Sequence, residues 1–150
     1  MTSRMRSGPR GRAMPHFRTL SRRECEALLR RNVVGRLAYS CHDRVDVEPI
    51  HFVFARGALF GRTSEGTKLD ALRHSPRVAF EVDEVEGLHD WRSVVAHGTL
   101  FTLENSARAE AVALLRTVFP LTESEEDPTP DRDVVFHIVL DEMTGRSASS

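Results

Sequence analysis

The sequence predicts a mostly β domain, with six antiparallel strands curling into a small barrel and three helices at its periphery. Three observations lead there. Apolar, β-branched runs alternate with short polar turns, and hairpin-length connections such as Arg56-Gly57 impose antiparallel pairing. Helical periodicity is confined to three segments, whereas a parallel α/β layout needs a helix between nearly every pair of strands. With 150 residues, 40% of them hydrophobic and 29% charged, the chain suits one globular domain. A domain of that length buries about two thirds of its unfolded surface.

The elements follow in order. Ser21-Arg-Arg-Glu24 is a capping box, and Cys25, Leu28 and Leu29 recur at helical spacing, which predicts a helix over 21–31. Val33 to Tyr39 is a strand in which Gly35 marks a close backbone approach. Ser40 to Arg44 is a turn. Val45 to Ala55 is a second strand, and Pro49 within it implies an edge or a bulge. Ala58 to Thr63 returns as the third. Leu69 and Leu72 share a face of a helix over 67–74, which Pro76 ends. Arg77 to Val82 is a strand, 83–90 an acidic loop, and Trp91 to Leu103 a long strand with Gly98 in its middle. Asn105 or Ser106 caps a helix whose stripe is Ala107, Ala111, Leu114, Leu115 and Val118. Residues 119–133 form a loop and Val134 to Leu140 a final strand. The domain is expected over 16–143, between a disordered basic tail at 1–15 and a polar tail at 144–150.

Composition excludes several classes. The net charge of −1 argues against a chain that binds nucleic acid over its whole surface. Residues 1–18 nevertheless carry five arginines and no acid, as a solvated tail or as an arm that touches phosphates. Cys25 and Cys41 stand far apart and outside any CxxC spacing, which argues against a disulfide framework or a zinc site and fits a reducing cytoplasm. No apolar run approaches the ~20 residues of a membrane helix, and no apolar core follows the basic N-terminus as in a secretory signal.

The segment with the most chemistry is Arg62-Thr-Ser-Glu-Gly-Thr-Lys68. Lys68 is the only lysine, against twenty arginines. Beside Thr63, Ser64, Gly66 and Thr67, at the start of a helix, it has the makings of an anion site: charge, hydroxyls, exposed backbone N–H groups and the helix dipole. The alternative is an ordinary capped helix. A P-loop is rejected, because Thr67 separates Gly66 from Lys68 and no Ser or Thr follows the lysine. His51, between Ile50 and Phe52, either touches a ligand as acid or base or is a hydrogen-bonded residue at the barrel rim. Arg36 is a solvated face residue or a second phosphate contact. Trp91 reads as an interface or core anchor, and His97 as structural or surface-facing.

Taken in order, these pieces resemble the pyridoxamine 5′-phosphate oxidase-like family of FMN-binding split-barrel proteins. Leu20 to Leu29 resembles the family's opening helix and Val34-Gly-Arg-Leu-Ala38 its first barrel strand. Val47 to Val53 is similar to the strand under the flavin ring, and Phe60 to Leu69 to the phosphate-binding segment. Arg77 to Asp83 and Trp91 to Thr99 resemble the later strands, and Met143-Thr-Gly-Arg146 a frequent ending of actinobacterial-type members.

The resemblance implies a six-stranded antiparallel split β-barrel and a homodimer with FMN at the subunit interface. Lys68 and Arg36 would hold the phosphate, with hydrogen bonds from Thr63, Ser64 and Thr67. Pro49, Ile50 and His51 would face the isoalloxazine ring, and Trp91 and Ser93 would approach from the partner subunit. The implied activity is FMN-dependent oxidoreduction of a small aromatic or quinone-like substrate, with His51 as the catalytic candidate. Pyridoxamine phosphate oxidation itself is not expected, because the arginine- and histidine-bearing C-terminal segment of true oxidases is not seen. His51 stands where relatives often have asparagine; nitroimidazole-reductase-like members can carry a histidine near the flavin. The other reading is a carrier or sensor without turnover that binds a flavin, a deazaflavin or haem.

Overall fold

The computed structural model describes residues 14–150. The basic tail expected at 1–15 therefore lies almost wholly outside the described residues. Eight strands and three helices follow: β1 (His16–Leu20), α1 (Arg22–Arg30), β2 (Val34–Cys41), β3 (Arg44–His51), β4 (Val53–Ala55), β5 (Ala58–Thr63), α2 (Thr67–His74), β6 (Arg77–Gly87), β7 (Asp90–Thr102), α3 (Asn105–Arg116) and β8 (Val134–Ser149). All pairings are antiparallel, in the order β3-β2-β6-β7-β8-β5-β4, with β1 added against the far end of β8. The sheet curls but does not close.

The strand count exceeds the expected six for two reasons. His16–Leu20 adds β1, which pairs with Gly145–Ser149. The run expected as one strand over 45–55 divides at Phe52. That residue leaves the ladder, donates its N–H to the Val33 carbonyl (3.0 Å) and buries its ring edge-on against Phe80 (4.9 Å between centroids). The chain thus passes from one half of the barrel, where β3 pairs with β2, to the other, where β4 pairs with β5. Pro49 sits in β3, the edge strand, where a missing N–H breaks no ladder on the open side.

Two further boundaries are corrected. The expected acidic loop 83–90 is mostly strand, since Asp83 to Gly87 continue β6 and only Leu88-His89 turn. The expected polar tail at 144–150 is the second half of β8, which runs sixteen residues instead of stopping at Leu140. Gly145 faces the core there, where a Cβ would press on Cys25 Sγ and Leu20, and Ala148 is buried on the other face beside Trp91 and Phe17 in register. A register shift between His97 and Gly98, with Asp141 of β8 as the extra residue, bends β8 so that it can follow β7 along its whole length. Only glycine fits at that bend, because a Cβ on Gly98 would run into the Val139 carbonyl. Gly35 is a close approach of the same kind, with the Phe80 ring against its Cα.

The core lies on one face of the sheet. Leu28 and Leu29 of α1 pack with Leu37, Phe52, Leu59, Phe80, Val82, Val94 and Ile138. Each such side chain contributes about 2 kcal/mol of burial. The capping box fixes α1 there: Ser21 Oγ accepts from Glu24 N–H (3.2 Å) and Ser21 N–H donates to Glu24 Oε1 (2.8 Å). A smaller cluster joins α3, through Ala111, Val112 and Leu115, to Ala58, Phe60 and Val135. α3 begins at Asn105 with no side-chain cap bond, contrary to the expected Asn or Ser cap, and Val118 lies beyond its end, partly exposed.

The opposite face, which α3 covers over β5 and β8, is open across β3, β2 and β6. Register places Arg36, Ala38 and Ser40 of β2 beside Pro49, Val47 and Val45 of β3, and continues through Glu81, Asp83 and Val85 to Val95, Ser93 and Trp91. Val45, Val47 and Val85 are 79%, 64% and 68% exposed there.

Candidate functional site

A cleft of about 690 Å³ opens where β3 ends, β5 turns into α2, and the 117–133 segment crosses behind them. Pairing of β5 with β8 stops at Thr63–Val134. The chain then turns through Ser64-Glu65-Gly66. Gly66 has φ of 150°, which suits glycine, and it sits at the N-cap of α2 with no side chain to accept from the first turn. The N–H groups at that helix start are thus left to an incoming acceptor. Leu69 and Leu72, both buried, anchor the helix and hold its first turn at the cleft.

Lys68 lies in that first turn, its Nζ in contact with the Glu48 carboxylate. The other Glu48 oxygen accepts from the Tyr39 hydroxyl (3.2 Å). Burial, and then the neighbouring Glu48, push the Tyr39 hydroxyl up to about 12, so it remains a donor. At the other end the cleft is apolar, with Ile50, Leu115, Val118, Phe119 and Leu121 among its lining. The His51 ring rests 4.9 Å from that of Phe119.

The back wall is built by arginines. Arg62 donates to both oxygens of Asp127 (2.8 and 3.2 Å), to the Arg132 carbonyl (3.0 Å) and to Thr129 Oγ1 (3.2 Å). Asp127, 2% exposed in its side chain, also accepts from the N–H groups of Glu123 (2.7 Å) and Thr129 (2.9 Å). The Arg62 guanidinium, more than the backbone donors, holds its carboxyl well below the usual carboxylate range. Arg108 binds Glu123 and the Asp133 carbonyl, and Arg116 binds the Thr122 carbonyl (2.9 Å). The 117–133 segment is therefore a fixed wall.

Of the residues singled out from sequence, Pro49, Ile50, His51, Thr63, Ser64, Thr67 and Lys68 all line this one cleft. Arg36, Trp91 and Ser93 do not. Arg36 is opposite Pro49 in register, but its guanidinium turns along the open face to Glu81 (2.7 Å) and Asp83 (3.4 Å). Trp91 and Ser93 stand on the same open face, Trp91 next to Phe17 and Ser93 opposite Arg146. Arg146 shows that the C-terminal strand does not run out after Leu140. Sequence reasoning missed Glu48, Arg62, Asp127, Phe119 and Arg132 as cleft residues. Arg62 adjoins the lysine segment and was the nearest signal; the others pair across long separations that no spacing encodes.

An open antiparallel barrel with a lysine-bearing helix start beside an apolar edge strand is the architecture of split-barrel proteins. The chain belongs to the pyridoxamine 5′-phosphate oxidase family, whose profile matches residues 21–147. Among solved structures it is similar to a FAD-binding protein from Mesorhizobium loti, at 28% identity and TM-score 0.75, covering 89% of this chain and 99% of that one. A FAD-binding protein from Mycobacterium smegmatis matches at 26% identity and TM-score 0.63, over 87% and 98% of the two chains. A candidate 5-nitroimidazole antibiotic resistance protein from Bacteroides thetaiotaomicron shares the fold at 16% identity and TM-score 0.71, over 89% of each chain.

The buried Arg62–Asp127 pair has a measurable signature. Asp127→Asn should cost on the order of 3 kcal/mol at pH 7, read by urea unfolding. Because the folded-state value of Asp127 lies below its unfolded one, its stabilisation is present above about pH 4 and is lost as pH falls through the lower value. The gap between wild type and variant should therefore narrow from pH 5 to pH 2.

Proposed function

We propose that this cleft holds the phosphate end of FMN and that the protein is an FMN-dependent oxidoreductase of a small aromatic or quinone-like compound. The observation that carries the reading is the convergence of Lys68, Ser64, Thr67 and the uncapped start of α2 beside the apolar Pro49–Ile50 strip. A phosphate needs the first set and a flat ring the second. The cleft volume lies within the range of small-ligand sites, about 300–1,000 Å³. The FAD-binding relatives support a flavin. Arg132, which also lines the cleft, would offer a second cation.

Bound FMN would supply hydride chemistry at its N5. The chain's own residues hold the phosphate, present the Pro49–Ile50 edge to the ring and close the back with the 117–133 wall. His51, against Phe119, is placed to give a proton from its imidazole to the reduced substrate. Among the described residues no helix is long and apolar enough to cross a membrane.

The proposal includes a homodimer through the open sheet face. Val45, Val47 and Val85 leave an apolar patch there that a second copy would cover. That packing would bring Trp91 and Ser93 of the partner subunit toward the cofactor.

Purified protein should be yellow, with two flavin absorption bands. A Soret band would assign haem instead, and a colourless protein would mean that neither flavin nor haem stays bound through purification. Lys68→Ala should weaken FMN binding at least about tenfold by calorimetry while leaving riboflavin binding unchanged, in line with the loss of one charge-assisted contact; equal FMN affinity in both proteins would sink the site assignment. With the flavin reduced anaerobically, a nitroaromatic or quinone should reoxidise it about a hundredfold more slowly in His51→Ala. No difference would remove His51 from the reaction. In sedimentation velocity the wild type should run as a dimer and Val47→Asp as a monomer; a monomeric wild type would overturn the interface.

A further inference from the structure

We infer that Glu48 sets how tightly this cleft holds a doubly charged phosphate, by competing with it for Lys68. The inference rests on the phosphate reading of the cleft. Glu48 and Lys68 come from separate elements, β3 and the first turn of α2, and both line the cleft. Their contact engages the chain's single lysine.

Glu48 does not swing freely. One oxygen is in contact with Lys68, and the other accepts from Tyr39, a core residue 8% exposed. The carboxylate is thus tethered beside the lysine and stays there when a ligand arrives. The other acids of the cleft have partners other than Lys68. Asp127 is held by Arg62, Glu65 pairs with Arg73 (3.1 Å), and Asp131 accepts from Ser64 Oγ (3.4 Å).

A phosphate at Lys68 must therefore share its cation with a fixed negative charge. At partial exposure, 27% for Lys68 and 35% for Glu48, that repulsion is screened only in part. Its cost grows with the charge of the ligand. It is greatest for the terminal phosphate of FMN, smaller for FAD, whose two charges are spread over two phosphates so that the one at Lys68 carries a single charge, and nil for riboflavin. Glu48 is in this sense a charge filter, which keeps FMN exchangeable and narrows the advantage of FMN over FAD.

The test is calorimetric titration of FMN, FAD and riboflavin into wild type and Glu48→Gln. Glutamine fills the same space and its amide oxygen still accepts from Tyr39. FMN should bind about tenfold tighter to the variant, which is about 1.4 kcal/mol. FAD should gain less, roughly threefold, because the phosphate nearest Lys68 carries one charge and its second charge is one phosphate further away, and riboflavin nothing. An unchanged or weaker FMN affinity overturns the inference, as does an equal gain for riboflavin, which would mean a change of pocket shape. Should Glu48→Gln fail to fold, Glu48→Asp retracts the charge by one methylene and should tighten FMN by a smaller factor; no tightening overturns the inference equally. Lys68→Ala separates the two failures. If it leaves FMN affinity unchanged, the phosphate reading itself falls. If it weakens FMN while Glu48→Gln changes nothing, only the role of Glu48 falls.

Discussion

The structure depends on the uninterrupted course of β8. That strand pairs with β5, with β7 and with β1, so the halves of the open barrel meet along it. That course carries one bulge, at Asp141, the extra residue of β8 opposite His97 and Gly98. Gly98 on β7 lets the two backbones close up beside the bulge, where the Val139 carbonyl leaves no room for a Cβ. The cleft inherits its position from this arrangement. β5 is released at Thr63 where β8 begins at Val134, and the segment leading into β8 becomes the back wall.

What could be read from sequence was what neighbouring residues decide among themselves. The capping box placed α1, the Leu69–Leu72 spacing and Pro76 placed α2, and the Arg56-Gly57 turn placed the β4–β5 hairpin. The antiparallel order followed from short turns. Contacts distant in sequence were another matter. The second half of β8 buries only small residues, Gly145 and Ala148, and its polar alternation looks like a tail until β1 and β7 are laid against it. Phe52 leaves its strand because Phe80 waits on the other side of the core, which local alternation does not register. The site divided along the same line. The segment from Thr63 to Lys68 and the Pro49–His51 strip were legible because the chemistry is contiguous. The partners of Arg36, Arg62 and Lys68 were not, since each is an acid twenty or more residues away.

Arginine and lysine have separate work in this chain. Several of the described arginines act as planar forks, each fastening two carboxylate oxygens at once: Arg62 on Asp127, Arg108 on Glu123, Arg31 on Glu84. Such forks stiffen the frame and suit fixed geometry. Lysine is a point charge on a flexible stem, better suited to a site where the partner changes. The single lysine stands at the one place in the cleft where an internal carboxylate and an external anion would use the same cation.

That distribution has a chemical consequence. A chain with one lysine carries one side-chain ε-amine, and here it is at the mouth of the cleft, 27% exposed. Amine-directed chemistry, whether acylation or a labelling reagent, has no other side chain to reach. An acyl group on Nζ would remove the one lysine charge of this cleft, so acylation and the proposed hold on an anion would oppose each other at a single nitrogen atom.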